Sequence, residues 1–244
     1  MSPPTTWSWT SRRSSGETPP PVLALSLELN DGRRAEIRFT ERREGNFEDA
    51  SPERRASVAE GRWTQLHQQH GAGVVIVTAP GEADGAAADA AATTASGAVL
   101  TVRTADCAPV ALVAAEGVVA AVHAGWRGLA AGVVEAAAAA VRRLGGRELR
   151  AYLGPCIHPG CYEFGSGALE DLARSLGPDV VSQTAWDTPA FDIPAAARAA
   201  LRRDGIGQII EANRCTACEA ESWYSHRARG ETGRHVMATW ISAS

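Results

Sequence analysis

Ala120-Ala121-Val122-His123-Ala124-Gly125-Trp126-Arg127-Gly128 reads as a change of state along the chain. Val118–His123 is apolar until its last residue and predicts a buried strand. Gly125 and Gly128 punctuate a turn, and the Ala-rich stretch from about Leu129 to Leu144 predicts a helix. A strand feeding a helix sets the His123 imidazole and the Arg127 guanidinium near a helix N-terminus. Backbone N–H groups there are unpaired and carry partial positive charge, so the place suits an anion. Upstream, Ala105-Asp106-Cys107 follows another apolar strand. A Cys and a His on neighbouring strand ends begin either a metal site or a nucleophile site.

The segments on either side extend this pattern. Val22–Leu29 and Arg34–Phe39 alternate apolar and polar residues around Asn30-Asp31-Gly32, a hairpin signal. A short helix is expected near Pro52–Glu60, and strands at Gly73–Thr78, Ala98–Arg103, Val110–Ala114, Glu148–Leu153, Ile206–Ala212 and Arg234–Ile241. Thr104–Pro109 reads as a polar break in which Pro109 ends strand pairing. Asp84–Ala95 is small and Ala-rich, and Cys161–Phe164 reads as extended. Helices are expected at Gly167–Leu176 and at Pro194–Arg203, the second with Pro at its start. Strands and helices mix without strict alternation. The expected fold is therefore α+β: a sandwich of mixed β-sheets flanked by helices, in one domain over residues 21–244. Residues 1–20 are Ser-, Thr- and Pro-rich without a period, and read as a disordered tail.

Composition removes several function classes. The chain has 244 residues, is 45% hydrophobic and 21% charged, and carries a formal net charge of -4. That balance offers no electrostatic footprint for nucleic acid. No apolar run is long enough for a bilayer, and the N-terminus lacks a signal-peptide core, so the expected address is cytoplasmic. Five cysteines without an export signal are expected to be reduced thiols. There is no glycine fingerprint for a dinucleotide and no P-loop. The sequence carries no reading of oligomeric state.

His70, Cys107 and His123 each follow an apolar stretch and precede a turn. Two imidazoles and a thiolate form a plausible three-ligand zinc set, with a fourth position open for water or substrate. Arg127 could grip phosphate bidentately, or pair with a carboxylate at a helix start. Asp106 could orient a ligand or move a proton, or cap a turn. Trp223-Tyr224-Ser225-His226-Arg227 could stack on a flat ring, or simply fill a core. Cys215-Thr216-Ala217-Cys218 is a lone C-x-x-C with no second pair at ribbon spacing, and Cys156 and Cys161 read as packing residues.

In order, these segments resemble a known family. Gln68-x-His70-Gly71, Ala83-Asp84-Gly85, Thr104-Ala105-Asp106-Cys107-Ala108-Pro109, His123-Ala124-Gly125-Trp126-Arg127-Gly128, Gly154-Pro155-Cys156-Ile157 and Cys161-Tyr162-Glu163 are similar to the YfiH-like proteins, also called laccase-domain or polyphenol oxidase proteins. The resemblance spans about residues 35–241. It implies a metal, usually zinc, held by His70, Cys107 and His123. It also implies phosphorolysis of purine nucleosides (adenosine, inosine, guanosine, methylthioadenosine) and hydrolytic deamination of adenosine. The partners are then a purine nucleoside and phosphate. Cys107, His123 and Asp106 would be catalytic, and Arg127 and Gln68 would bind substrate. The N-terminal third departs from the family: Arg42-Arg43-Glu44-Gly45-Asn46-Phe47 and Glu60-Gly61-Arg62 stand where pocket-lining segments are usual. Two rivals remain. One is a copper-dependent phenol oxidase, which would want a weak axial Met, and the chain has only Met1 and Met237. The other is a Cys–His hydrolase with Cys107 as nucleophile.

Overall fold

A computed structural model describes residues 23–242. The tail expected at residues 1–20, with Trp7 and Trp9, lies outside the described residues. Leu23–Glu28 (β1) and Arg34–Phe39 (β2) form the expected antiparallel hairpin, with Glu28 opposite Arg34. Pro52–Val58 (α1) follows, its Ser51 side chain accepting the Arg54 amide as an N-cap. Arg62–Gln65 (β3), Val74–Val77 (β4), Ala90–Thr93 (β5), Ala98–Thr104 (β6), Ala108–Ala114 (β7) and Val118–Ala124 (β8) come next. Trp126–Ala130 (α2), Val133–Arg143 (α3), Leu149–Leu153 (β9) and Ser166–Leu176 (α4) continue the chain. Val181–Gln183 (β10), Pro189–Phe191 (β11), Ile193–Arg203 (α5), Gln208–Glu211 (β12), His226–Arg229 (α6) and His235–Ser242 (β13) complete it.

Two mixed sheets lie face to face, in the orders β1-β2-β13-β6-β3 and β12-β9-β7-β8-β5-β4. Strands β7 and β8 are buried at every residue. That is why they read as unbroken apolar runs: both faces are covered. Alternate residues divide between the faces. Val119 and Ala121 join Ile37, Phe39, Leu100 and Val102 between the sheets. Ala120 and Val122 turn to the other side, where α3, α4 and α5 supply Val134, Leu172 and Ala197. Phe47, Val58 and Trp63 cover the outer face of the five-stranded sheet. The α+β sandwich with flanking helices is thus the observed architecture.

Three local expectations are corrected, and one stretch with no expected element gains a strand. The helix read from Leu129 to Leu144 is two helices, because Gly132 turns left-handed at φ 83 and restarts the chain as the N-cap of α3. The Ala-rich stretch 84–95 contains β5, which pairs with both β4 and β8. Pro109 does not end pairing: it lies inside β7 opposite His123. The stretch read as extended at 161–164 begins in a single 3-10 turn, Pro159–Cys161, and reaches an isolated bridge at Glu163.

Candidate metal centre and its cavity

Two segments that pass from one sheet to the other carry chemistry. His70 lies between β3 and β4, and Cys107 between β6 and β7, both times leaving the five-stranded sheet for the six-stranded one. His123 is the penultimate residue of β8 and takes the next place in the row Val119, Ala121, which faces the other sheet. Potential ligand atoms of His70, Cys107 and His123 all lie within 4.8 Å of one another. Cys107 Sγ is 3.9 Å from His70 Nε2, and the two imidazole rings meet edge to face at 4.8 Å.

Asp89 fixes this arrangement. Its carboxylate receives His123 Nδ1 at 2.8 Å, and the amides of Gln69, His70 and Gly71 at 3.1, 2.9 and 2.7 Å. His123 is thereby left with Nε2 as its available donor, the usual arrangement of a ligating histidine backed by a carboxylate. The same bonds hold His70 in the left-handed region at φ 58, which a non-glycine residue rarely adopts. Gly125 leaves the room: a Cβ there would come 3.0 Å from both Cys107 Sγ and His70 Cδ2. Two imidazoles and one thiol, backed in this way, fit a borderline-soft divalent cation.

Charge in the cluster is coupled. Burial alone would raise the Cys107 thiol, but the facing His123 and His70 outweigh it and bring it to about 6. Burial alone would lower His123, yet the Cys107 sulfur and the Asp89 carboxylate raise it to about 9. Burial also works to raise Asp89, and the His123 bond and the backbone amides override it, holding the carboxyl below its ordinary range.

The three donors line a cavity of about 440 Å³. That lies in the range of roughly 300–1,000 Å³ typical of small-molecule sites. Arg103, Arg127, Arg227 and Arg234 stand on its wall, with Glu48 and Asp106 as the carboxylates. Arg103 is bound to Glu48 at 3.1 Å. Arg227 donates to the Glu163 carbonyl at 2.7 Å and lies over the Tyr162 ring at 4.5 Å. Exposed Arg127 lies 4.1 Å from the Trp126 ring centre, and no carboxylate pairs with it among the described residues. Because α2 is only five residues long, its dipole is slight, and the cavity's positive character comes chiefly from these side chains.

All six residues singled out in the sequence line this one cavity: Gln68, His70, Asp106, Cys107, His123 and Arg127. Their bonding differs. Both ends of the Gln68 amide are spent on the Arg103 backbone, each at 2.8 Å. Asp106, at φ 97 and buried, accepts from Thr216 Oγ1 at 2.7 Å and from the Arg227 amide at 2.6 Å. It therefore ties the Cys107 turn to the C-terminal loop. Of the aromatic run near the C-terminus, His226 and Arg227 reach the cavity, whereas Trp223 and Tyr224 pack round His235. Sequence reasoning missed Asp89. Its signal was a lone carboxylate inside Ala86-Ala87-Ala88-Asp89-Ala90-Ala91-Ala92, where burial demands a partner. It also missed Arg103, Arg234 and Glu48, the last directly after the segment Arg42–Phe47 that departs from the family pattern.

A family model described as multi-copper polyphenol oxidoreductase laccase matches residues 39–242. The chain belongs to this family. Among proteins similar to this laccase-family chain, a purine nucleoside phosphorylase of Streptomyces coelicolor is 38% identical over 180 residues, covering 72% of this chain and 74% of its own. The purine nucleoside phosphorylase YfiH of Escherichia coli is 36% identical over 181 residues, 72% of each chain. An adenosine deaminase, RL5, from an unknown prokaryotic organism is 35% identical over 150 residues, 58% of this chain and 57% of its own. The crystal structure of the Neisseria meningitidis protein NMB0706 superposes with a TM-score of 0.73 at 26% identity, covering 90% of this chain and 99% of that one. YlmD from Geobacillus stearothermophilus gives 0.71 at 26% identity, over 87% and 93%. The YfiH-like resemblance and the fold expected from it are therefore established. Among the described residues, no helix is long and apolar enough to cross a membrane.

Proposed function

We propose that this laccase-family chain is a zinc-dependent purine nucleoside phosphorylase that also deaminates adenosine, with residues 21–244 acting as one catalytic unit. One observation carries the reading. His70, Cys107 and His123 converge in a cavity where Arg127 has no carboxylate partner among the described residues. Relatives named as purine nucleoside phosphorylases and an adenosine deaminase support it.

His70, Cys107 and His123 would hold the cation, with Asp89 orienting His123. When bound, the cation supplies Lewis acidity beside the substrate. Arg127 receives phosphate, its guanidinium matching two phosphate oxygens at once. In phosphorolysis a phosphate oxygen attacks the anomeric carbon of the ribose. The glycosidic bond breaks, its electron pair leaves with the purine, and the purine takes up a proton. In deamination water adds at the purine carbon bearing the amino group, and ammonia leaves. Asp106 is the carboxylate closest in sequence to the donors, and in this reading it carries the proton by giving up its Thr216 bond. Trp126 and Tyr162 supply the apolar part of the cavity wall, against which a purine ring can lie.

The family description favours copper as a second reading. A blue-copper centre wants a weak axial ligand, usually Met. Met237 is fully buried between the sheets in β13, not at the cavity. The about-6 thiol of Cys107 favours the third, a Cys–His hydrolase.

Elemental analysis, spectra and inosine-plus-phosphate turnover on one untagged sample separate the three. Loss of one zinc per chain and of phosphate-dependent hypoxanthine release in Cys107→Ala supports the proposal. Visible copper absorption with phenol oxidation, or alkylation that abolishes an acyl hydrolysis without metal loss, overturns it.

A further inference from the structure

A second cluster of donors lies outside the catalytic set. Sulfurs of Cys161, Cys215 and Cys218 fall within 4.8 Å of one another, and Cys161 and Cys218 touch at 3.2 Å. The partner missing from the lone C-x-x-C thus arrives from 57 residues before Cys218, on the single turn Pro159–Cys161. All five cysteines are free thiols.

Backbone N–H groups converge on the Cys215 sulfur, although burial on balance still raises its thiol. The His158 amide donates to its Sγ at 3.4 Å, and the amides of Ala217 and Cys218 face the same sulfur. The turn that aims them is latched from several sides. Glu219 N donates to the Cys215 carbonyl at 3.2 Å, Arg229 donates to the carbonyls of Ala217 and Thr216 at 2.8 and 3.2 Å, and the Thr216 amide donates to the Cys156 carbonyl at 3.1 Å. A neutral disulfide sulfur has little use for such a cradle, whereas a metal thiolate is stabilised by N–H donors of this kind.

We propose that Cys161, Cys215 and Cys218 form a second metal site for a thiophilic cation of the zinc class, with water in the fourth position. With the three sulfurs inside 4.8 Å of one another, small side-chain rotations bring each to the roughly 2.3 Å of a zinc–sulfur bond. On binding, thiol protons pass to solvent and three S–metal bonds form, with no change of oxidation state. The bound cation joins the 159–161 turn to the 215–218 turn. Thr216, between two of the ligands, bonds to Asp106, so this staple also steadies the loop that carries Cys107. The proposal stands independently of the function assigned to the first site.

Zinc per chain, measured after reconstitution with Zn²⁺ under a non-thiol reductant and removal of excess metal, tests it. Two are expected for the full chain, one for Cys218→Ser and one for Cys107→Ala. Cys218 is exposed, and far-ultraviolet dichroism checks that its variant folds. In Cys107→Ala loaded with Co²⁺, sulfur-to-cobalt charge-transfer absorption is expected, and it is lost when Cys218→Ser is added. One zinc in the full chain with no change in Cys218→Ser overturns the site. So does a Cys161–Cys218 disulfide found by mass spectrometry in protein that takes no second metal. Absence of turnover with both zincs present would instead count only against the phosphorylase reading.

Discussion

Asp89 is almost wholly shielded from solvent and accepts from His123 and from three consecutive backbone amides. An amide in its place can accept through only one atom, so two of those donors would then face an NH₂ group. Asp89→Asn is expected to cost about 1–3 kcal/mol of stability and to weaken metal retention by roughly 10–100-fold. Thermal melting and a chelator competition measure the two separately. Cys107 invites a different measurement. Without metal, its thiol lies at about 6 rather than 9.0, and His123 at about 9 rather than 6.5. The lowered thiol adds stability that is present above 9.0 and lost as pH falls through about 6; the raised imidazole adds stability present below 6.5 and lost as pH rises through about 9. Between 6.5 and about 9 the folded pair holds one proton, on the ring, and the unfolded pair also holds one, on the sulfur. Stability from this pair is therefore flat with pH there, and only the thiolate reports it. Thiolate ultraviolet absorbance of the metal-free protein should titrate near 6 and vanish in Cys107→Ser. The other thiols do not interfere: burial raises Cys156, Cys161 and Cys215, and the bond with Cys161 raises Cys218. Cys107 and His123 were legible in the sequence as polar residues ending apolar runs. His70, in the polar run Gln68-Gln69-His70-Gly71, was weak alone and was read only as the third donor beside Cys107 and His123, and Arg103 and Arg234 had no local pattern at all.

Among the elements, α2 and α3 show where local reading stops. The stretch from 129 to 144 is rich in Ala; what divides the helix is one backbone torsion at Gly132, and a glycine does not announce its φ. Open space surrounds a Cβ built there, with nothing nearer than Glu135 Oε2 at 3.7 Å, so the penalty of Gly132→Ala is conformational. It should cost about 1–2 kcal/mol, and at about 2–4 °C per kcal/mol for a chain of this size the melting temperature falls by a few degrees. Strand β5 was illegible for another reason. Ala90-Ala91-Ala92 lacks the β-branched residues that mark strands, and it is a strand because it pairs with β4 on one side and β8 on the other, fully buried. The β1–β2 hairpin was readable because its signal is wholly local.

For the whole molecule, pairing between distant segments decides the layers. Strand β13, at the end of the described chain, lies between β2 and β6, with Met237 opposite both Phe39 and Val102. No local signal announces such a partner, so the mixed class could be read but not the strand order. A chain ending at residue 234 loses the middle of the five-stranded sheet. It should accumulate as insoluble protein, and any soluble fraction should lack a cooperative melt by circular dichroism.

The two crossings between sheets give the cavity one more property. His70 and Cys107 ride on the spans that bridge the layers, so the separation of the donors gauges how far apart the layers stand. Val113 and Val119 pack in that gap, each at least four residues along the chain from the nearest donor. Enlarging or trimming them would retune ion affinity from a distance, much as adjusting the hinge of a caliper changes the opening at its jaws.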